Sequence, residues 1–364
     1  MKNRLLTGAA IIGAILSTPA FAAETNDGIK LNLGGYFKAY MSYVNQDEAA
    51  GSGVNKVDIL RTTEVHFDGK AKLENGLTVG AHIEGQADGG DDFFLDESYI
   101  FFSGDWGKVN LGRTYGTPYI LQVVAPAANS NIDGRLQLLN PINLAAGGFT
   151  GALAASTYET DYDQDVSAKV DKLSYITPML LKGLQFGLTY TPDGSGTSRG
   201  LTGNATSNDA SQRSNIWEGA VLYENKDSKS FDYAIGAGYS NAQAEVTTPT
   251  FQNREAWNVG ADFNIGKFGV GATYQVDDTG APTGKMKYSV IGADYTEGKL
   301  VYGTSYYNKN DDVNNADINR YSAGITYKVI PGLSFRGSAH YYDISEGTRD
   351  FNATAILLGT DIKF

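Results

Sequence analysis

The residues best equipped for proton or metal chemistry are His66, Asp68, His82 and Glu84. Histidine titrates near neutral pH and ligates metals, and a neighbouring carboxylate sets its charge. A hairpin tip at Asn75 would set His66 opposite Glu84 and His82 opposite Asp68. The expectation is two wetted His–carboxylate pairs and no metal. Ser338 and His340 share one face of a strand pattern. A hydrolase would also need an orienting group and an oxyanion hole, which nothing in the sequence supplies, so no enzyme activity is expected. The glycines at 194, 196 and 200 lie in a loop rather than at a strand-to-helix turn, and make no nucleotide motif. The Asp/Asn-rich stretch 309–317 lacks regular ligand spacing, so the cofactor expectation is none, with a loop-bound calcium as the exception.

Those side chains must be positioned by strands. After residue 22 no stretch carries the 3.6-residue apolar period of a long helix; period-two alternation recurs instead. Leu31, Leu33, Phe37, Met41 and Tyr43 share a face against Asn32, Lys38 and Ser42. Trp257, Val259, Ala261 and Phe263 oppose Asn258, Gly260, Asp262 and Asn264. The pattern predicts strands over 31–43, 57–73, 77–86, 93–103, 107–113, 169–178, 183–191, 215–224, 231–240, 254–264, 267–276, 285–295, 298–308, 319–328, 332–342 and 353–364. The stretches 93–103 and 285–295 are less regular. Short connections such as Glu74-Asn75-Gly76 and Ile330-Pro331 alternate with long polar ones such as 44–56, 192–214, 241–253 and 309–318. Sixteen strands with tight turns on one edge and long loops on the other have the pattern of an all-β, antiparallel transmembrane β-barrel. Within lipid a sheet must close on itself to satisfy its backbone, and a barrel this wide keeps water inside.

Composition agrees. The 364 residues include 44 glycines, 23 tyrosines, 16 phenylalanines and no cysteine, which excludes thiol catalysis, disulfides and cysteine metal sites. A formal net charge of −12 argues against nucleic acid as a partner, and a mean hydropathy of −0.28 against a helical bundle in the membrane. Lys2 and Arg4, the apolar run Leu5 to Leu16, and Ala20-Phe21-Ala22 have the form of a secretory signal cleaved after Ala22. Residues 1–22 would be removed, leaving 23–364 as the barrel domain.

Three patches resemble the general (diffusion) porins of Gram-negative outer membranes, in the manner of alphaproteobacterial members. They are Val65-His66-Phe67-Asp68-Gly69-Lys70-Ala71-Lys72-Leu73-Glu74-Asn75-Gly76-Leu77, then Glu97-Ser98-Tyr99-Ile100-Phe101-Phe102-Ser103-Gly104 running through Trp106-Gly107 to Gly112-Arg113-Thr114-Tyr115-Gly116, and the terminal Phe364 with Ile362, Leu358 and Ile356 at alternate positions. The resemblance implies a homotrimer of sixteen-stranded pores in the outer membrane, among phospholipid and lipopolysaccharide. It also implies that Phe364, Ile362 and Leu358 are the signal read by the outer-membrane insertion machinery, and that small hydrophilic solutes pass.

The third long connection, 114–168, is too long for an idle loop. Its apolar residues (Tyr119, Ile120, Leu121, Val123, Val124, then Leu136, Leu138, Leu139, Ile142 and Leu144) need somewhere to pack. Folding into the barrel supplies it, and in the resembling family this loop narrows the pore. Its acidic candidate is Asp133, beside Arg135. Asp161, Asp163 and Asp165 are weaker candidates for the same role, since a solvent-exposed exit of the loop is open to them. Inward parity nominates Lys38, Glu64, Lys70, Glu84, Arg320 and Arg336 as wall charges, with Lys169 or Lys172 as further bases. Arg113 matches the family's basic position, although parity sets it with Val109 and Leu111 unless a bulge near Gly112 turns it inward. Glu64 stands where many members carry arginine. Glu64 and the acidic balance together predict weak cation preference. Competing readings are a substrate-specific channel for sugars or anions, favoured by inward Tyr36, Tyr40 and Tyr342, and a surface adhesin or lectin.

Overall fold

A computed structural model describes residues 28–88, 93–129, 140–151, 153, 161–195, 208–226 and 231–364. The signal segment 1–22 lies outside the described residues. The chain forms β1 (Lys30–Gln46), β2 (Val57–Lys72), β3 (Thr78–Gln86), β4 (Phe94–Gly104) and β5 (Gly107–Thr114), then a short helix α1 (Thr117–Ile120). It continues with β6 (Val170–Ile176), β7 (Leu184–Asp193), β8 (Arg213–Asn225), β9 (Phe231–Ala244), β10 (Arg254–Ile265) and β11 (Phe268–Asp277). The remaining strands are β12 (Met286–Glu297), β13 (Leu300–Asp311), β14 (Ala316–Ile330), β15 (Leu333–Glu346) and β16 (Arg349–Lys363). Each strand pairs antiparallel with its sequence neighbours, and β1 pairs with β16, closing a sixteen-stranded barrel. At the seam Gly35 and Phe364 exchange two backbone hydrogen bonds of 3.0 and 3.1 Å.

The apolar parity faces outward. Leu31, Met41, Leu188, Trp217, Trp257, Ile291, Leu358, Ile362 and Phe364 are all exposed on the outer wall, while Lys38, Ser42, Thr189, Asn258, Thr273 and Arg320 are buried toward the interior. An apolar exterior around a polar interior inverts a soluble protein and suits a lipid solvent.

The irregular stretch at 93–103 has a specific cause. Glu84 pairs with Glu97 but Gly85 pairs with Leu95, so Asp96 is the extra residue of a bulge. Strands β5 and β6 are the shortest, at eight and seven residues, because the chain leaves the wall between them to enter the lumen. The connection runs 115–169, one residue later than expected. Two upper connections also differ from expectation. Strands β13 and β14 run on through residues anticipated as loop, leaving only 312–315, and β15 and β16 are joined by 347–348 alone. In that β13–β14 turn Asp311 accepts the Val313 and Asn314 N–H groups at 3.1 and 2.9 Å, and the Asn314 side chain at 2.9 Å. The Asp311 carboxylate thus caps the hairpin.

Candidate functional site: a loop docked inside the barrel

The connection between β5 and β6 lies against the inner wall. Its outgoing limb begins at α1, where Pro118 presets the first turn, and the Thr117 N–H donates to Thr189 Oγ1 at 3.0 Å. Leu121 and Val123 are then buried against Leu222 and Ala234. The backbone of this limb crosses strand after strand where the wall has no side chain. A β-carbon on Gly260 would stand 2.2 Å from the Val123 oxygen, one on Gly292 2.1 Å from the Pro126 oxygen, and one on Gly303 2.2 Å from the Ala128 nitrogen. Nothing larger than glycine fits at those approaches. Hydroxyls beside the track satisfy the loop's carbonyls: Thr273 donates to Val123 at 2.9 Å and Thr326 to Ala128 at 2.8 Å.

The returning limb is stitched to the outgoing one. Gln122 donates to the Tyr162 carbonyl at 2.9 Å and accepts the Gln164 N–H at 3.1 Å. Gln164 in turn accepts from Asn258 at 2.6 Å and donates to Ser240 at 2.9 Å. Ser240 and Ser167 donate to the two oxygens of Glu218 at 3.0 and 2.6 Å, and Lys172 donates to Ser167 at 2.8 Å. Farther out, Leu144, Phe149 and Leu153 bury with Ile344, Phe351 and Leu357 in one apolar cluster. The described part of the loop therefore has a core and a polar network of its own inside the barrel, and it rests mainly on β7 to β16 with further contacts to β1.

Halfway round the ring from β10–β12 stand β2–β4, and their inner face is charged. His66 Nε2 lies 3.2 Å from Glu64 and 3.4 Å from Glu84. His82 Nδ1 lies 2.8 Å from Asp68 and its Nε2 lies 3.6 Å from Glu84. Lys169, at the loop's return, pairs with the bulged Asp96 and stands 3.7 Å from Glu84. Burial alone would lower the Lys169 pKa, but the carboxylates of Asp96 and Glu84 outweigh it and hold the ammonium above its ordinary value. Its charge also sits 4.6 Å from the Tyr115 ring, which stacks on Tyr119.

A second polar group lies near the seam. Arg336 pairs with Asp361 at 2.6 Å and donates to Asn129 of the loop at 2.7 Å. Asn129 donates onward to the Tyr40 hydroxyl at 2.9 Å. Lys38 lies 3.6 Å above the Tyr36 ring, and Arg320 sits fully buried over Tyr307. Ser338 and Ser322 hold the two ring nitrogens of His340 at 2.7 and 2.9 Å. Hydroxyls take both nitrogens, so no carboxylate orients the ring as a hydrolase requires.

A closed sixteen-stranded barrel, apolar outside, with its longest loop docked within, is the architecture of a diffusion channel. The sequence profile of the family described as Gram-negative porin matches residues 8–347. The chain belongs to that family. The porin is 25% identical to an uncharacterized protein of Rickettsia felis and 24% identical to another of Rickettsia typhi, each match covering 100% of both chains. Among solved structures its fold is similar to an anion-selective porin from Comamonas acidovorans, with a TM-score of 0.62 at 18% identity. A mutant of the Rh. blastica porin gives 0.59 at 18% identity. Both cover 92% of this chain and 100% of their own. The porin is thus an outer-membrane channel for diffusion.

Within this porin the anticipated pairs fall in register, His66 opposite Glu84 and His82 opposite Asp68. Lys38, Glu64, Glu84, Lys172 and Arg320 are buried on the inner parity and Arg336 is half-buried there, whereas Lys70 is exposed. Arg113 is not re-aimed. The β4–β5 ladder runs unbroken through Gly112, so Arg113 keeps the parity of exposed Leu111 and donates to the Asp96 carbonyl at 3.0 Å. Asp161, Asp163 and Asp165 are not on an exposed exit. They are half-buried, and the Asp161 and Asp163 carbonyls accept from Tyr307 and Gln275. Asp133 and Arg135, with Leu136, Leu138 and Leu139, lie outside the described residues. Asp96, Glu97 and Lys108 were missed as wall residues. The bulge hides the parity of the first two, and Lys108, next to a turn, has little pattern around it.

Proposed function

We propose that this porin is a passive, water-filled channel for small hydrophilic solutes and ions with a weak preference for cations. The observation that carries the preference is the wall of β2–β5. Glu64, Asp68, Glu84, Asp96 and Glu97 stand there, five carboxylates against four lysines acting on them among the described residues, Lys38, Lys108, Lys169 and Lys172. A narrow bore lined by excess negative charge concentrates cations. The chain is exported by a signal cleaved after Ala22, inserts through the Phe364, Ile362 and Leu358 signal, and assembles as a homotrimer in contact with lipopolysaccharide. Reversal potentials across a KCl gradient test the selectivity: potassium should permeate better, and chloride permeating better would reject it.

A second reading, a channel with a preferred solute, has one observation in its favour. Tyr36, His66, His82 and Tyr99 form a run of rings along the inner wall, with successive centroids 6.2, 5.7 and 5.1 Å apart. Such a surface suits stacking of flat or ring-shaped solutes. Blockade of the conductance by one sugar at millimolar concentration, and not by others of equal size, would favour it.

A further inference from the structure

We propose that the inner wall of β2–β3 holds a zinc-class metal site made by His66, Glu64 and Glu84. One atom from each residue, His66 Nε2 and a carboxylate oxygen from each glutamate, forms a set in which all atoms lie within 4.8 Å of one another. The two separations from the imidazole match the metal's needs. His66 Nε2 is 3.2 Å from Glu64 Oε2 and 3.4 Å from Glu84 Oε2. Donors bonded at ~2.1 Å in a tetrahedral arrangement stand about 3.4 Å apart, so a zinc ion enters this triangle with little movement of its walls. A water from the lumen completes four-coordination.

The backbone makes the triangle. His66 and Glu84 are directly paired across the β2–β3 ladder, and Glu64 is two residues before His66 on the same face. Neither glutamate is free to swing away. Both carboxylate side chains are largely buried, while the imidazole keeps more contact with the lumen. The surroundings fix the donors further. Lys169 stands 3.7 Å from the other oxygen of Glu84, leaving Oε2 toward His66. Tyr36 hydrogen-bonds Glu64 and meets the His66 ring edge-on at 6.2 Å. The adjacent His82 is itself held by Asp68, so a second imidazole borders the site. Outer partners of this kind orient ligands and tune affinity.

The donor chemistry selects the metal. One imidazole nitrogen with two carboxylate oxygens suits zinc and its neighbours in the first transition series. Calcium takes 6–8 oxygens, and magnesium insists on an octahedron of oxygen and water, so neither is matched. The site rests on wall geometry alone and is measurable whether or not the lumen conducts.

The test is calorimetric titration of zinc chloride into the detergent-purified full-length barrel. Wild type should bind one zinc per chain. His66→Ala and Glu84→Gln should each weaken binding at least tenfold, while Asp209→Asn, on an exposed loop, should leave it unchanged. Heat-modifiable gel mobility verifies that each variant is folded. Crystals of the wild type soaked in zinc chloride provide a readout needing no variant: the anomalous peak should lie between His66, Glu64 and Glu84. Absence of saturable binding in wild type, equal affinity in the folded variants, or a peak only at other carboxylates would overturn the proposal.

Discussion

The Ala128 nitrogen occupies the space in which any other residue at position 303 would carry its β-carbon: a methyl on Gly303 would stand 2.2 Å from it. The same relationship joins Gly260 to Val123 and Gly292 to Pro126. Wall glycines are the seat on which the inner loop rests, and its position depends on side chains that are absent.

Filling that seat should therefore lift the loop. Gly260→Leu and Gly303→Leu are expected to close the barrel normally but displace residues 121–129 from the wall. Larger single-channel steps and faster proteolytic cleavage within 115–169 should follow. Wild-type conductance together with wild-type protease resistance would contradict the docking.

The ion pair between Arg336 and Asp361 makes a different prediction. Asp361 is almost fully buried, and Arg336 also anchors the loop through Asn129. Arg336→Ala leaves the buried carboxylate with only Lys38, its neighbour across the β1–β16 ladder, to offset its charge, a loss approaching the roughly 3–5 kcal/mol of a broken buried pair. Thermal unfolding in detergent should fall well below wild type, and adding Asp361→Asn should recover much of the difference. An unchanged midpoint in the single variant would show that the pair carries no stability.

Much of this fold was legible in the sequence because lipid enforces a rule at every second residue. Leu188 and Trp257 must be apolar for the same reason, and the alternation located all sixteen strands. The pairing of His66 with Glu84 followed from one turn, at Asn75. What escaped depends on contacts between distant segments. The purpose of the wall glycines appears only when Val123 and Ala128 lie over Gly260 and Gly303. Asp96 was obscured because a bulge breaks parity, and its partner Lys169 arrives from the far end of the loop. At Arg113 plain parity was right and the bulge introduced to reconcile it with the family pattern was unnecessary.

The outward face offers a test of the lipid boundary. Ile291, near the middle of β12, is 54% exposed on the outer wall. Ile291→Arg would set a charge against hydrocarbon, costing about 2–4 kcal/mol if it falls at the bilayer midplane. Refolding titrations into phospholipid vesicles should show that loss. A variant as stable as wild type in vesicles would mean that this face does not meet lipid.

The wall charges near Lys169 set the direction of a selectivity change. Lys169→Glu removes a cation held among Asp96, Glu84 and Glu97 and adds a carboxylate. The reversal potential in a KCl gradient should move toward stronger potassium preference. An unchanged reversal potential would place these charges outside the path of the ions, and a shift toward chloride would contradict the assigned sign of their effect.

The most direct test of the whole account is the conductance of the purified barrel in a planar lipid bilayer. Discrete, long-lived, ohmic steps that grow with salt concentration are the predicted result. A correctly folded, membrane-inserted barrel that passes no current at any salt concentration would contradict it.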